Sequence, residues 1–312
     1  MTVGPSASVG TTSTSRKGTI LDDKKSAELK KKIEEGHELL MKREYRKARQ
    51  AFDEAIRIDG KNARAHAGKA NALFGLEELE KAVAEMEKAL KLDPEDHEIL
   101  DNYGAYLFNM GKHKEALGVA ERLVQMAPED PDAWYKLASV REELGEMDAA
   151  LEAYNKTLSL SPDFLDALKD KAGLLEKAGR LQEAAETFTA ASEIAPGEPY
   201  FLNCVGQIMG RLGKFDEALS AFEKAQAADP EDEYSKNGSA AALAKLGRLE
   251  EALAAFEKSI ASNKEDPFAW DGKAFVLKMM GRMEESEKAG AEAKRLFRLQ
   301  ESLEKGTFGG NA

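Results

Sequence analysis

The residues that most often bind metals or move protons are few and widely spaced in this sequence. The four histidines, His37, His66, His97 and His113, stand at spacings that do not bring ligands together, and no His or Lys motif lies beside the single cysteine, Cys204. A zinc site needs clustered Cys and His ligands, so the histidines indicate packing or solvated roles. The sequence therefore predicts no metal site and no cofactor.

Motifs of catalysis are also missing from the sequence. It contains no GxxxxGK[ST], no GxSxG and no HExxH. Acidic pairs such as Glu142-Glu143 are common, but neighbours in a helix do not face each other. Such pairs are typical of a solvated helix face rather than of an acid/base couple. We therefore expect a protein that is not an enzyme.

Composition and charge narrow the class of protein further. The 312 residues are rich in Ala, Glu, Lys and Leu, which favours helix. The net charge of −12 argues against a general nucleic-acid binder, which needs a basic surface. No apolar run approaches membrane-spanning length, and the N-terminus lacks the apolar core of a secretory signal. One cysteine cannot form an internal disulfide, which fits a reducing cytosol, so a cytoplasmic protein without membrane insertion is expected.

The strongest pattern in the chain is a repeat with a period of 34 residues. In Gly213 to Pro230, for example, a glycine ends one helix, an aromatic residue opens the next, and Asp-Pro stops it. A small residue near the start of each second helix recurs at this period: Ala48, Ala82, Ala116, Ala150, Ala184, Ala218, Ala252 and then Ser286. Four residues later the chain has Phe52, Met86, Ala120, Tyr154, Phe188, Phe222 and Phe256.

Each row of the repeat has a physical reason. Small residues let two antiparallel helices pack closely, and the large residue one turn later fills the gap to the neighbouring repeat. A glycine row supplies left-handed caps after the first helices, at Gly111, Gly145, Gly179, Gly213, Gly247 and Gly281. Pro131, Pro199 and Pro267 stand where a first helical residue belongs, with Asp130 and Asp266 as predicted caps.

These rows resemble the tetratricopeptide repeat family, whose unit is a 34-residue helix-turn-helix. The resemblance covers about residues 29 to 300. It implies an all-α fold: a right-handed superhelical solenoid of about eight helix-turn-helix repeats, in which the first helices line a concave groove. The first two repeats depart from the pattern, because Arg43 and Glu77 stand where later repeats have the turn glycine.

The predicted organisation has three parts. Residues 1–25 are rich in Gly, Ser and Thr and are expected to be disordered, because they bury too little surface to offset their ordering entropy. Residues 26–305 form the repeat solenoid with an extended C-terminal helix. Residues 306–312 form a flexible tail.

The resemblance implies which repeat positions face the groove, and these change character along the chain. They are mainly acidic in the middle repeats and carry aromatic residues toward the C-terminus. Repeated aromatics outside the packing rows expose apolar area that a partner would cover. The predicted partner-binding residues are Tyr200, Asn203, Tyr234, Asn237, Phe268, Phe275, Asp101, Asp132, Tyr135 and Asp166.

We give these residues specific roles as expectations. Tyr200, Tyr234 and Phe268 are 34 residues apart and are expected to stack as a ladder, while Asn203 and Asn237 grip a peptide backbone. The partner would be a protein or peptide with apolar anchors and basic residues. Two plainer interpretations stay open: the acidic residues serve only solvation, and the aromatics only pad the seams between repeats.

Some relatives hold a terminal carboxylate with a clamp of Lys, Asn and Arg. The corresponding positions here carry Ile33, His37, Gly68, Glu98 and Asn102, and no later triplet fits. This function is therefore not expected.

The favoured function is a protein–protein interaction adaptor that binds a peptide segment or helix of a partner in its groove. One alternative is a structural subunit of a larger complex, with self-association or end-on contacts through the stripe Leu296, Leu299 and Leu303. Another is a regulatory subunit acting on an enzyme in trans.

Overall fold

The structure is a computed structural model that describes the backbone of residues 13–308 and the side chains of residues 24–303. Over residues 13–308 the chain forms sixteen helices and no strand. They are α1 (Ser13–Met41), α2 (Tyr45–Ile58), α3 (Ala63–Gly75), α4 (Leu79–Leu92), α5 (His97–Asn109), α6 (His113–Met126), α7 (Pro131–Glu143), α8 (Met147–Leu160), α9 (Leu165–Lys177), α10 (Leu181–Ile194), α11 (Pro199–Arg211), α12 (Phe215–Ala228), α13 (Glu233–Lys245), α14 (Leu249–Ser262), α15 (Pro267–Met279) and α16 (Met283–Phe308).

The helices form a chain of antiparallel pairs, which confirms the all-α repeat solenoid. Odd-numbered helices are the first helices of the repeats, and even-numbered helices are the second. Within each unit, successive helices pack on each other, as α1 packs on α2 and α11 on α12, and consecutive first helices also touch, as α3 touches α5 and α11 touches α13. The chain divides into two compact units, Met1–Ala153 and Tyr154–Ala312, here called the first unit and the second unit.

The turn inside each repeat is a left-handed cap. The six predicted turn glycines have φ between 70° and 78°, a conformation that glycine adopts without a Cβ penalty. In the first two repeats, Arg43 and Glu77 take the same turn with φ of 58° and 62°. A side chain there costs about 1–2 kcal/mol, so the packing of the flanking helices must hold these two turns in place.

Capping residues fix where the first helices begin. The predicted caps are confirmed: Asp130 accepts a hydrogen bond from the Asp132 N–H, Asp266 accepts one from the Phe268 N–H, and a proline follows each cap. Asp96 and Asp232 cap their helices in the same way. The start of these four first helices is thus set locally, by side chains that bond the free N–H groups of the first turn, whereas α9 begins after Phe164 without such a bond.

The two ends of the chain differ from the sequence pattern. Helix α1 already begins at Ser13, within the segment 1–25 for which we expect disorder. Between residues 13 and 24 no proline and only one glycine interrupts the hydrogen-bonded backbone, so the helix propagates through these polar residues. Helix α16 continues to Phe308, three residues beyond the expected end at 305. The disorder predicted for residues 1–12 and the flexible tail predicted for 309–312 lie outside the described residues.

The seam between repeats is built from an aromatic ring seated on glycine. Phe222 of α12 is buried, and its ring lies between Gly206 of α11 and Gly238 of α13. A Cβ at Gly206 or Gly238 would come within 2.8 or 2.5 Å of that ring. The two first helices therefore approach the ring more closely than any side chain would allow.

The same arrangement occurs at two other seams. Phe52 of α2 lies between Gly36 and Gly68, and Phe256 of α14 lies against Gly272. The rings of Phe52 and Phe256 are 0% and 3% exposed, so they have no room to turn away. At these three seams, a large residue of the second helix is thus matched by a missing side chain in the first helices around it.

This packing predicts the effect of a single methyl group. Gly238→Ala should lower the free energy of unfolding by about 1–3 kcal/mol, because the added Cβ overlaps the Phe222 ring. Gly173→Ala is the matched control, since nothing lies within 4 Å of its Cβ position in α9. At Gly173 the substitution should raise the free energy of unfolding by up to about 1 kcal/mol, because alanine favours a helix more than glycine does. Urea denaturation of both variants measures the difference, and equal effects would contradict the seam described here.

Candidate functional site

Four half-exposed aromatic rings stand on three first helices of the second unit. Tyr200 of α11 is 47% exposed, Tyr234 of α13 is 52%, and Phe268 and Phe275 of α15 are 64% and 46%. We call these four residues the aromatic face. Large apolar side chains are normally buried, so their exposure on three consecutive first helices marks this surface as a candidate binding site.

The rings of the aromatic face do not form the stacked ladder that their spacing suggests. Tyr200 meets Phe188 of α10 edge-on with centroids 6.3 Å apart, and Tyr234 meets Phe222 at the same distance. Phe268 instead meets Phe297 of α16 at 5.2 Å. Each of these three rings thus leans on a ring of a second helix and shows its remaining surface to solvent.

The two asparagines have a different role from the one expected. Asn203 is only 8% exposed, and its Nδ2 donates to Asp232 Oδ2 at 2.6 Å. Asn237 donates in the same way to Asp266 Oδ2 at 2.5 Å. In both cases the amide holds the aspartate that caps the next first helix. One N–H of each amide is thus used within the solenoid, and the expected grip on a peptide backbone stays a prediction.

These hydrogen bonds also set the charge state of the cap. Partial burial raises the pKa of Asp232, but hydrogen bonds from Asn203 and Ser235 outweigh it and leave the pKa below its ordinary value. The capping carboxylate is therefore ionised at neutral pH. It accepts hydrogen bonds both from the first turn of α13 and from Asn203 of the preceding repeat.

Asn237 has a hydrogen-bond partner for its side-chain oxygen, and Asn203 does not. Asn237 Oδ1 accepts a hydrogen bond from Ser259 Oγ at 2.8 Å, whereas Asn203 Oδ1 is buried with no hydrogen-bond partner. The residue that corresponds to Ser259 in the preceding repeat is Ala225. A missing hydroxyl thus explains the unpaired oxygen.

Two side chains modify the surface near the aromatic face. Lys245 Nζ lies 5.4 Å from the centroid of the Phe275 ring, in cation–π range.

Burial raises the pKa of the Cys204 thiol, although a hydrogen bond with Tyr200 acts in the opposite direction. The thiol stays protonated at neutral pH and is a packing group rather than a nucleophile.

The predicted acidic residues divide between the two units. In the first unit Asp101 pairs with Lys136, Asp132 is exposed, and Tyr135 is half-buried. In the second unit Asp166 is exposed with Lys169 Nζ 3.6 Å away. Asp101 and Asp166 are thus partly neutralised by neighbouring lysines, which reduces the field they offer to a basic partner.

The first unit contains a cleft that the sequence does not single out. It has a volume of about 550 Å³, and we call it the N-terminal cleft. Its lining comes from α1, α3 and α5 with the start of α2: His37, Leu40, Met41, Tyr45, Asn71, Phe74, Gly75, Glu98, Asn102, Ala105, Tyr106 and Asn109.

Aromatic rings form the floor of this cleft. Phe74 and Tyr106 stack with centroids 4.3 Å apart and planes 8° from parallel, and the Tyr45 ring lies against Gly75. The Tyr106 hydroxyl donates to Asn71 Oδ1 at 2.6 Å. Burial raises the pKa of Tyr106 far above neutral pH, so this phenol stays a donor.

Metal and membrane sites were sought in the part of the chain that the structure describes. No group of three or more His, Cys, Asp or Glu residues is arranged there to hold a metal ion. None of the helices described is both long and apolar enough to cross a membrane.

Comparison with protein families decides which family these helix pairs represent. A tetratricopeptide repeat model matches residues 33–97, 104–163 and 207–269, and a second tetratricopeptide repeat model matches residues 143–208. The chain belongs to the tetratricopeptide repeat family. It is therefore a repeat scaffold of the kind that binds protein or peptide partners, and such proteins are generally non-catalytic. No curated protein matches the chain.

Solved structures share the fold at low sequence identity. The C-terminal part of a tetratricopeptide repeat-containing protein from Cytophaga hutchinsonii has a TM-score of 0.67 and 14% identity, over 77% of this chain and 98% of that one. PilF of Pseudomonas aeruginosa has a TM-score of 0.55 and 21% identity, over 68% and 96%. MamA from Desulfovibrio magneticus has a TM-score of 0.52 and 24% identity, over 54% and 96%. At these identities the likeness concerns the fold alone.

The sequence of this tetratricopeptide repeat protein gives one indication of the N-terminal cleft. Glu98 lies at one of the repeat positions that face the groove, and Glu98 and Asn102 stand at positions of a carboxylate clamp whose cations this sequence lacks there. Asn71, Phe74 and Tyr106 belong to no packing row, so only the folded structure brings them together.

The unpaired oxygen of Asn203 leads to a prediction about stability. Ala225→Ser should raise the free energy of unfolding by about 1 kcal/mol, because the hydroxyl would reach Asn203 Oδ1 as Ser259 reaches Asn237. Ser259→Ala should lower it by about 1–3 kcal/mol by removing that bond. Urea denaturation tests both. A stabilising effect of Ala225→Ser that persists unchanged in an Asn203→Ala background would contradict the explanation.

Proposed function

We propose that this tetratricopeptide repeat protein is an adaptor that binds an apolar segment of a partner protein on the aromatic face. The observation that carries the proposal is the exposure of four aromatic rings on α11, α13 and α15. Aromatic side chains dominate the energetics of protein interfaces when a partner covers them. On helices whose seams are closely packed, these rings offer contact area that loses little entropy on binding.

The chemistry of the partner follows from what surrounds the rings. With Asn203 and Asn237 engaged as cap partners, recognition depends on the rings and their hydroxyl groups rather than on amide contacts to a backbone. The partner segment therefore needs apolar anchors. The exposed carboxylate of Asp166 and the net charge of −12 favour basic residues beside those anchors. A cytoplasmic location remains a prediction from the cysteine content.

The proposal predicts a selective loss of affinity in Tyr234→Ala. Short random peptides displayed on phage are selected on the wild-type protein, and the enriched peptides are measured by fluorescence polarisation. Tyr234→Ala should weaken the binding of these peptides by about 1–2 kcal/mol, roughly five- to thirty-fold, if the ring is an anchor. Tyr234→Phe should keep most of the affinity, because the ring remains.

A matched control separates binding from packing. Ile194 of α10 is 40% exposed in the same unit but lies outside the aromatic face, so Ile194→Ala should leave peptide affinity unchanged. Thermal denaturation is measured on every variant. If Tyr234→Ala lowers the melting temperature and leaves affinity as it was, the ring pads the seam with Phe222 and the adaptor proposal fails at this face.

The C-terminal helix supports a second candidate function, assembly with another copy of the chain. Helix α16 has 26 residues, whereas the preceding second helices α12 and α14 have 14. Leu296 is buried at its base, but Leu299 and Leu303 are 43% and 63% exposed farther along. An apolar stripe on a protruding helix is suited to pack against the same stripe of a second chain.

This second function predicts a change in mass when the stripe is made polar. The double variant Leu299→Ser, Leu303→Ser keeps the buried Leu296 and should shift light scattering from dimer to monomer. Arg298→Ser changes the same helix outside the stripe and should have no such effect. A monomer for the wild-type protein over the whole concentration range would remove self-association through α16.

A further inference from the structure

The junction between the first and second repeats differs in charge from every later junction in the sequence. Residues 57–64, from the end of α2 to the start of α3, have a net charge of +2. The corresponding segments 91–98 and 125–132 of the first unit each have a net charge of −3, and the four corresponding segments of the second unit are also negative. We call residues 57–64 the basic junction.

Substitutions at single repeat positions produce this reversal of charge. Lys61 stands where the next repeat has Glu95. Arg64 stands where the next repeat has Glu98. The basic junction therefore has cations at the positions where the following repeat has carboxylates.

The cap of α3 is neutral as well. Asn62 Oδ1 accepts a hydrogen bond from the Ala65 N–H at 2.9 Å, whereas α5 is capped by the carboxylate of Asp96. Asparagine and aspartate cap helices about equally well, so capping does not require the neutral residue. The asparagine keeps the start of α3 and leaves out one negative charge beside Lys61 and Arg64.

The cations of the basic junction are free to meet an anion. No ion pair within the described residues involves its three exposed cations, Arg57, Lys61 and Arg64. Glu54 lies one turn before Arg57, but Lys32 Nζ lies 2.7 Å from its carboxylate. The positive charge of the junction is therefore not cancelled by a salt bridge of its own.

Hydrogen bonds hold the loop of the basic junction in a single turn. Asp59 Oδ1 accepts a hydrogen bond from the Lys61 N–H at 2.9 Å, and the Asn62 N–H donates to the Asp59 carbonyl at 3.3 Å. The loop has only four residues, 59–62, between the end of α2 and the start of α3. Lys61 is thus held between two helix ends, one with Arg57 and the other with Arg64.

The neighbouring part of α1 adds positive charge beside the junction. Residues 24–32 contain five lysines and one glutamate. Helices α1 and α2 are antiparallel, and the ion pair between Lys32 and Glu54 fixes their register. Residues that precede Lys32 therefore run alongside those that follow Glu54 and lead into the junction.

The extent of the positive region indicates which class of anion fits it. Helix α5 touches α3, and packed helices lie about 8–10 Å apart. The acidic segment 91–98, which leads into α5, is thus about one helix away from the basic junction. A DNA duplex carries one charge per roughly 1.7 Å of its axis, so it would place phosphates over these carboxylates. A short run of carboxylates fits the junction without reaching them.

We propose that the basic junction binds a short acidic segment of a partner protein, whose carboxylates pair with Arg57, Lys61 and Arg64. A guanidinium group binds a carboxylate through a bidentate fork, and an ammonium group binds it as a point charge. The junction lies in the first unit and shares no residue with the aromatic face. It also takes acidic rather than apolar or basic residues, so either proposal can fail without the other.

The test uses the full chain and a capped six-residue peptide with four consecutive glutamates between two glycines. Binding is followed by NMR through the backbone amide signals of residues 57–64, at about 50 mM salt to limit screening. We expect saturable shifts in this segment. The same peptide with glutamine in place of glutamate should bind at least about tenfold more weakly, because charge-assisted hydrogen bonds are lost. Absence of shifts in residues 57–64 would overturn the proposal.

Paired variants separate the junction from general electrostatic attraction. The double variant Lys61→Gln, Arg64→Gln should weaken the glutamate peptide at least about tenfold. The control Arg46→Gln, Lys114→Gln removes an equal charge from exposed side chains at the starts of α2 and α6, and should change affinity less than about twofold. All four side chains are exposed, so both variants should melt like the wild-type protein. Equal weakening by the two variants would contradict recognition at the junction.

Two further outcomes would also overturn the proposal. Affinity of the glutamate peptide that does not fall at about 0.5 M salt would show that ion pairs do not carry the binding. Equal or tighter binding of a six-nucleotide oligothymidine, with shifts at the same residues, would assign the basic junction to nucleic acid rather than to an acidic protein segment.

Discussion

The seating of a large side chain against glycine is the contact on which the rest of the structure depends. Phe222 reaches both α11 and α13 only because Gly206 and Gly238 present no Cβ to its ring. A helix pair buries little surface by itself, so its stability comes from the next pair. The ring is the element that joins them, and the absent Cβ atoms set how closely they approach.

This constraint divides the side chains of the first helices into two groups. Residues that face the second helices must be small, as Gly238 and Gly272 are. Residues that face the other way are free of that demand and can carry rings, amides or carboxylates. The rings of the aromatic face belong to this second group, although Tyr200 and Tyr234 also contact Phe188 and Phe222 of the second helices.

Polar contacts reinforce the same junctions between successive repeats. Asn203 and Asn237 each link one repeat to the cap of the next through a charge-assisted hydrogen bond, which ties the start of a first helix to its neighbour. Helices α13 and α15 are therefore anchored both to their own repeat and to the repeat before it.

The sequence by itself determined the architecture. A 34-residue period, turn glycines such as Gly213 and caps such as Asp130 act within one helix or one turn, so their effect can be deduced without knowing the rest of the fold. The family resemblance, rather than local reasoning, indicated the repeat positions at which Tyr200, Tyr234 and Phe268 are exposed. Helix α1 begins earlier, at Ser13, since a helix extends through polar residues when nothing stops it.

Only the tertiary structure decided which polar groups are free. Asn203 and Asn237 look like binding residues in the sequence, but each reaches the cap of the next repeat, and that contact depends on how repeats pack. The N-terminal cleft likewise combines Asn71 of α3 with Glu98 and Asn109 of α5. Whether an amide or carboxylate is available to a partner depends on neighbours distant in sequence, and no periodic pattern along the chain records them.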